Sequence, residues 1–144
     1  MSCFEIGQVL WLKIRFNNKG TVSSKKHPYL VVSVDEDLST LEIAQIDSLE
    51  GKEYKALYKS NKTIFADNPN ESVIVKNSYV QLDNTIIVDD YDGLAKYRRT
   101  TDKLSSAKLA DVLIDYEEYH RSFHIDENKN VYLSKEEIED LNGH

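Results

Sequence analysis

Apolar residues change period once along this chain, and that change limits what it can fold into. Up to about residue 92 they recur in short alternating runs separated by turn residues; beyond Gly93 they recur at helical spacing. Leu10, Leu12, Ile14 and Phe16 alternate with Trp11, Lys13 and Arg15, which predicts a strand over 8–16 with one buried face and one charged face. Trp11 falls on the polar face, as a rim residue or as the wall of a shallow pocket. Residues 29–34 have the β-branched and aromatic content of a buried strand, Asp35-Glu36-Asp37 turns the chain, and residues 40–46 form a third strand ended by Asp47-Ser48. Residues 72–75, 79–82 and 85–88 read as further strands, the last two paired through Asp83-Asn84. Residues 55–58 admit a short strand, and 61–65 are ambiguous.

The helical stripe is Leu104, Leu109, Val112, Leu113 and Tyr116, which predicts a helix over 106–120. Ser105 stands at its N-cap, with Leu104 and Leu109 as a hydrophobic staple. A shorter helix follows Ser134, which has capping-box spacing to Glu137 and a C-cap at Asn142-Gly143. Strands followed by helices define a mainly β chain with C-terminal helices, the α+β class. At 144 residues the length suits one domain, read as 1–123, with 124–144 as a C-terminal extension.

The net charge of −7 argues against broad attachment to nucleic acid, which requires many Lys and Arg contacts to phosphate. The charge is uneven, however. Lys13, Arg15, Lys19, Lys25 and Lys26 crowd the first 26 residues, where Glu5 is the only acid, and acids gather in the last third. A basic first segment on an acidic body suits local binding of a short single strand. The same asymmetry allows the acidic tail to complete the fold, to cover a partner site, or to lie over the basic loop. The single Cys3 forms no internal disulfide, so a reducing cytosol fits, and neither a signal peptide nor a membrane span is visible.

Lys25-Lys26-His27-Pro28 is the stretch with chemistry. Pro28 fixes its own φ and holds His27 extended, so two ammonium groups and a titratable imidazole stand where an eleven-residue polar loop, 17–27, meets a strand. The same residues also describe a solvated loop ahead of a core strand. Asp47 and Ser48 end the third strand and come near His27 if the two strands pair. Cations and a proton acceptor meet the needs of RNA transesterification without a metal or other cofactor. Asp126, Asn128, Asn130, Tyr132, Ser134 and Glu137 match alternate positions of a calcium loop, but Val131 stands where that loop needs glycine, so a surface turn before a capped helix is the expectation. His120 and His124 are expected at the surface, and Cys3 has no neighbour that would activate it.

In their order these pieces resemble the PemK/MazF-like toxins of bacterial toxin–antitoxin systems. Gly7-Gln8-Val9-Leu10-Trp11 is similar to that family's glycine-led opening strand. Lys26-His27-Pro28-Tyr29-Leu30-Val31-Val32-Ser33 is similar to its Arg-Pro-apolar strand, and residues 72–83 to a later strand pair. The resemblance covers about residues 5 to 120. It implies a small, bent, SH3-like β-barrel, a dimer, a protein antitoxin as partner, and metal-independent cleavage of single-stranded RNA to a cyclic phosphate. Carried onto this chain, it makes His27 the proton carrier in place of the family's arginine, with Ser48 or Asp47 assisting. Arg15, Lys25, Lys26, Lys76 and Asn77 then become RNA or phosphate contacts. A catalytically inactive barrel that binds a protein or nucleic acid is the alternative.

Overall fold

A computed structural model describes residues 2–143. Seven strands form a mainly antiparallel sheet: β1 (Val9–Leu12), β2 (His27–Asp35), β3 (Thr40–Ser48), β4 (Asn61–Ile64), β5 (Ser78–Gln81), β6 (Thr85–Asp89) and β7 (Asn130–Leu133). Two helices follow the sixth strand, α1 (Ser106–Ser122) and α2 (Lys135–Asn142). The order is β1-β2-β3-β5-β4, with β6 also on β3 and β7 on β6, and the sheet is not closed.

Strand β3 is the axis of this arrangement. Its first half, from Thr40 to Ile43, pairs with β6, and its second half, from Ile46 to Ser48, pairs with β5. β5 and β6 therefore sit on successive halves of β3. The expected hairpin across Asp83-Asn84 does not form, because β3 supplies each strand with a separate partner. β2 covers the other edge of β3 and carries β1 outside it. A shift of register between Val31 and Ser33 adds local bend to β2.

The alternation of each strand feeds two cores. One contains Leu10, Leu12, Tyr29, Val31, Ile43, Ile86 and Val88, together with Val131, Leu133 and Ile138 from the tail. The other contains Val9, Leu30, Ala44, Ile46 and Val80 under Leu104, Val112 and Tyr116 from α1. Gly7 lies between the first strand and α1. Its φ of +101° suits glycine, and a Cβ there would stand 2.9 Å from Leu109 Cδ2.

Several elements differ from expectation for identifiable reasons. β1 ends at Leu12, because the next amide, Lys13 N–H, donates to Asn142 Oδ1 at 2.8 Å rather than to a strand. Residues 72–75 form no strand; Val73 and Ile74 are apolar because they plug the core beneath α1. Residues Glu53–Leu57 wind into a 3-10 helix with no buried side chain, whereas Asn61–Ile64 is a strand on β5. Ser105 makes no side-chain cap. Its amide donates to Glu71 Oε2 at 3.2 Å, and Leu109 N–H is taken by the Ser105 carbonyl. Ser134 does cap α2, accepting Glu137 N–H at 3.2 Å, and Gly143 ends that helix in the left-handed region.

The tail joins the sheet. β7 pairs parallel to β6, with Ile86 opposite Val131 and Val88 opposite Leu133. The residues that match a calcium loop are thereby spent on structure. Asp126 caps a 3-10 turn by accepting Asn128 N–H, and Asn130 and Tyr132 lie in extended backbone. Among the described residues no helix is long and apolar enough to cross a membrane.

Candidate functional site

The turn at Asp35–Asp37 makes β2 and β3 a hairpin, and its register positions the site. Tyr29 faces Gln45 at the end of the paired register, which continued by two residues brings His27 toward Asp47, whose charge acts on the imidazole. A cavity of about 660 Å³ opens at this end of the sheet. Lys25, Lys26, His27, Asp47, Ser48 and Lys76 all line it, which brings together six of the eight residues picked out above. Trp11 and Arg99 also line it, with apolar surface from Ile46, Val73 and Ile74.

Strand alternation divides these groups. Trp11 pairs with Pro28 and Ser48 with Ser78, on the face that α1 covers further along; Leu12 pairs with His27 and Asp47 with Tyr79, on the opposite face. The carboxylate of Asp47 is fully engaged on its side. Oδ2 accepts from Lys52 Nζ at 2.7 Å and from Tyr79 OH at 3.2 Å, and Oδ1 accepts from Ser48 N–H at 2.8 Å. Burial alone would raise this carboxyl. The hydrogen bonds from Lys52, Ser48 and Tyr79 outweigh burial and hold it below the usual carboxylate range. Burial, followed by the Asp47 charge, pushes the Tyr79 phenol up to about 12.

His27 titrates below its ordinary value. Partial burial is the main cause; Asp47 pulls the other way, and the Lys25 and Lys52 charges add to the lowering. At neutral pH the imidazole is therefore uncharged and can accept a proton. Lys25, Lys26 and Arg99 have no carboxylate at ion-pairing distance among the described residues. Lys76 differs, since its ammonium is 3.0 Å from Glu50 Oε2 on the exposed rim. Ser48 Oγ accepts Glu50 N–H at 3.1 Å.

Trp11, read as a rim residue or the wall of a shallow pocket, lines the cavity, and Arg99, which sequence reasoning left outside the site, joins it. The Arg99 guanidinium lies 5.3 Å from the centre of the Trp11 ring, and Trp11 is 41% exposed. Arg99 gets there because residues 98–99 run beside β1: Leu10 bridges Arg98, and Arg99 N–H donates to the Val9 carbonyl at 2.9 Å. The only signal for this was a pair of arginines ending the segment before the helix.

Two expected contacts lie elsewhere. Arg15 does not reach the cavity. Its guanidinium forms a forked pair with Glu137, at 2.6 and 3.1 Å, and donates to the Tyr132 carbonyl at 2.8 Å. Asn77 accepts Ala66 N–H on Oδ1 and Leu49 N–H on its carbonyl, which ties two loops together in the neighbouring groove. His120 stacks on Tyr116 at 4.1 Å between ring centres, with Nε2 2.8 Å from the Leu82 carbonyl, so it is a packing residue. Among the described residues no three His, Cys, Asp or Glu side chains gather as a metal site. The chain matches no family model and no curated protein.

Proposed function

We propose that the chain is a toxin-type endoribonuclease of PemK/MazF-like design, acting on single-stranded RNA in the cytoplasm from the His27 cavity. The observation that supports it best is a neutral histidine at one cavity with three cations, Lys25, Lys26 and Arg99, that no carboxylate among the described residues neutralises. Exposed Trp11 under Arg99 offers a face on which a base can stack. In this reading the His27 imidazole takes the proton of a ribose 2′-OH. The 2′ oxygen forms its bond to phosphorus while the bond from phosphorus to the 5′ oxygen breaks. The 5′ oxygen leaves with the proton that His27 returns, and a cyclic phosphate remains. Lys25, Lys26 and Arg99 stabilise the charge gathering on the phosphorane. Ser48 assists at the rim, and Asp47 acts through Lys52 and Tyr79 rather than on substrate. The division of β3 between β6 on its first half and β5 on its second suits the small bent barrel of that class, in which a homodimer and a protein antitoxin are the further partners.

One observation favours a second reading, a barrel that binds RNA without cutting it. The Asp47 carboxylate already accepts three hydrogen bonds and is poorly placed to work on a proton. Cleavage of a long unstructured RNA in EDTA separates the two. The nuclease reading expects wild-type cleavage that His27→Ala abolishes, while RNA binding survives in the variant. Binding without cleavage by folded wild-type protein, on RNA that a control ribonuclease cuts, refutes the nuclease and leaves the binding module.

A further inference from the structure

A second cavity, of about 340 Å³, lies beyond the Asp47–Tyr79 hydrogen bond from the first. Asp47 lines one cavity and Tyr79 the other, and these two side chains are hydrogen-bonded to each other. Its volume falls at the low end of the roughly 300–1,000 Å³ range of small-ligand sites. Its lining differs in kind from the first. Aromatic surface comes from Phe16 and from Tyr58, which is 51% exposed. Side-chain amides come from Asn17, Gln81, Asn61, Asn84 and Asn128, and a cation from Lys55.

The fold uses Asn17, whose Oδ1 accepts Lys19 and Thr21 N–H, and Gln81, which bonds the Tyr79 hydroxyl, but it leaves polar atoms on the other three. Asn61 gives Nδ2 to the Lys55 carbonyl at 3.0 Å and keeps Oδ1 for a ligand. Asn128 takes Asn18 N–H on Oδ1 at 3.1 Å and keeps its Nδ2 hydrogens. Lys55 has no acid at ion-pairing distance among the described residues, and its ammonium sits 5.9 Å from the centre of the Tyr79 ring. The acid in the wall, Asp83, is already neutralised by Lys129 at 2.5 Å. The cavity thus holds one unbalanced positive charge, flat apolar surface, and amides that each carry donors and an acceptor.

That combination is complementary to a nucleotide. A base stacks on an aromatic ring, its edge pairs with amide donors and acceptors, and a phosphate meets the ammonium. We infer that this second cavity is a nucleobase-binding site for a nucleotide flanking the one held at His27. Tyr58 is the stacking platform, Asn61, Asn84 and Asn128 read the base edge, and Lys55 holds phosphate. The inference rests on the RNA reading above, but cleavage is not part of it. It also gives the tail a role. Asn128 and Lys129 belong to the segment that docks on Asn18, so the cavity is complete only with the tail in place.

The test is titration of the full chain with AMP, GMP, CMP and UMP, followed by backbone-amide NMR. At least one nucleotide should shift the Tyr58, Asn61, Asn84 and Asn128 signals saturably at millimolar concentration. Tyr58→Ala should weaken that binding about tenfold, and Lys55→Ala should weaken it for the nucleotide but not for the matching nucleoside. Tyr58 is at the surface, so its variant should keep the wild-type spectrum elsewhere. Shifts confined to Trp11 and His27, equal affinity in Tyr58→Ala, or no saturable shift with any of the four would overturn the site. Nucleotide binding at Tyr58 in a protein that never cuts RNA supports this site and refutes the nuclease. Cleavage that depends on His27 without shifts at Tyr58 does the reverse.

Discussion

Ile138→Ala measures whether the last twenty residues are an appendage or part of the core. Ile138 lies in α2, is fully buried, and shares a cluster with Leu10, Leu12 and Ile43 of the sheet. The substitution removes three carbons, worth about 0.8 kcal/mol each in transfer, or about 2.4 kcal/mol. The hole adds to this, because strands on several sides cannot collapse into it, and large-to-small changes of this kind cost about 2–5 kcal/mol. A loss near 3 kcal/mol is therefore expected, which for a chain of this size lowers the melting temperature by about 10 °C. Urea titration with tryptophan fluorescence reads it directly, since Trp11 is the sole tryptophan. Leu57→Ala is the comparison: Leu57 is 85% exposed and should change stability by less than about 0.5 kcal/mol. A loss below about 1 kcal/mol for Ile138→Ala, at unchanged denaturant slope, would refute the shared core and make the tail separable.

Four further expectations follow from the geometry. His27 should titrate below 6.5 by NMR. Lys25→Ala should raise that midpoint, and Asp47→Asn should lower it further. Because the fold favours neutral His27, its contribution to stability is complete above the unfolded histidine value and is lost as pH falls through the folded one. Lys25→Ala with Lys26→Ala should flatten the salt dependence of RNA affinity by about two contacts, measured by fluorescence polarisation across salt concentrations. Arg15→Ala should cost about 1–2 kcal/mol in denaturation while leaving that salt slope unchanged, since its partners are Glu137 and the Tyr132 carbonyl. Gly7→Ala should cost about 1–3 kcal/mol, because φ is +101° and the added Cβ meets Leu109; a thermal shift indistinguishable from zero would contradict this.

Element type was legible wherever a single run carried its own burial pattern. Thr40–Ser48 and Ser106–Ser122 lie close to where period two and period 3.6 put them. Failures occurred where apolar content answered to something other than pairing. Val73 and Ile74 are apolar because they fill space under α1, and nothing local distinguishes a plug from a strand. The expected hairpin at Asp83-Asn84 was wrong for a related reason. Adjacent strands usually pair, but β3 is long enough to take β5 on one half and β6 on the other, and only the whole sheet reveals that competition. β7 was missed because its four residues sit inside a stretch that reads as a surface turn before a capped helix, and its partner lies 45 residues earlier in parallel register, Thr85 with Asn130.

The same division between local and distant information governs the site. His27 and Asp47 could be brought together on paper because they flank a hairpin with a short turn, whose register propagates two residues at a time. Arg99, Tyr79 and Lys52 could not, because each reaches the site through a loop or a strand whose pairing is set elsewhere. Arg15 and Lys25 make the point most sharply. Both are basic and both border the same loop. Arg15 is neutralised by Glu137, a residue 122 positions away, while Lys25 meets no acid at ion-pairing distance among the described residues. Which cations remain available to a polyanion is decided by where the tail docks. The tail takes the charge nearest the base of the loop, at Arg15, and leaves those at its far end, Lys25 and Lys26, facing the cavity. A variant that frees Arg15 without unfolding the tail, Glu137→Gln, should therefore strengthen RNA binding slightly and steepen its salt dependence by about one contact. An unchanged slope would mean that Arg15 is too far from the RNA path to matter even when released.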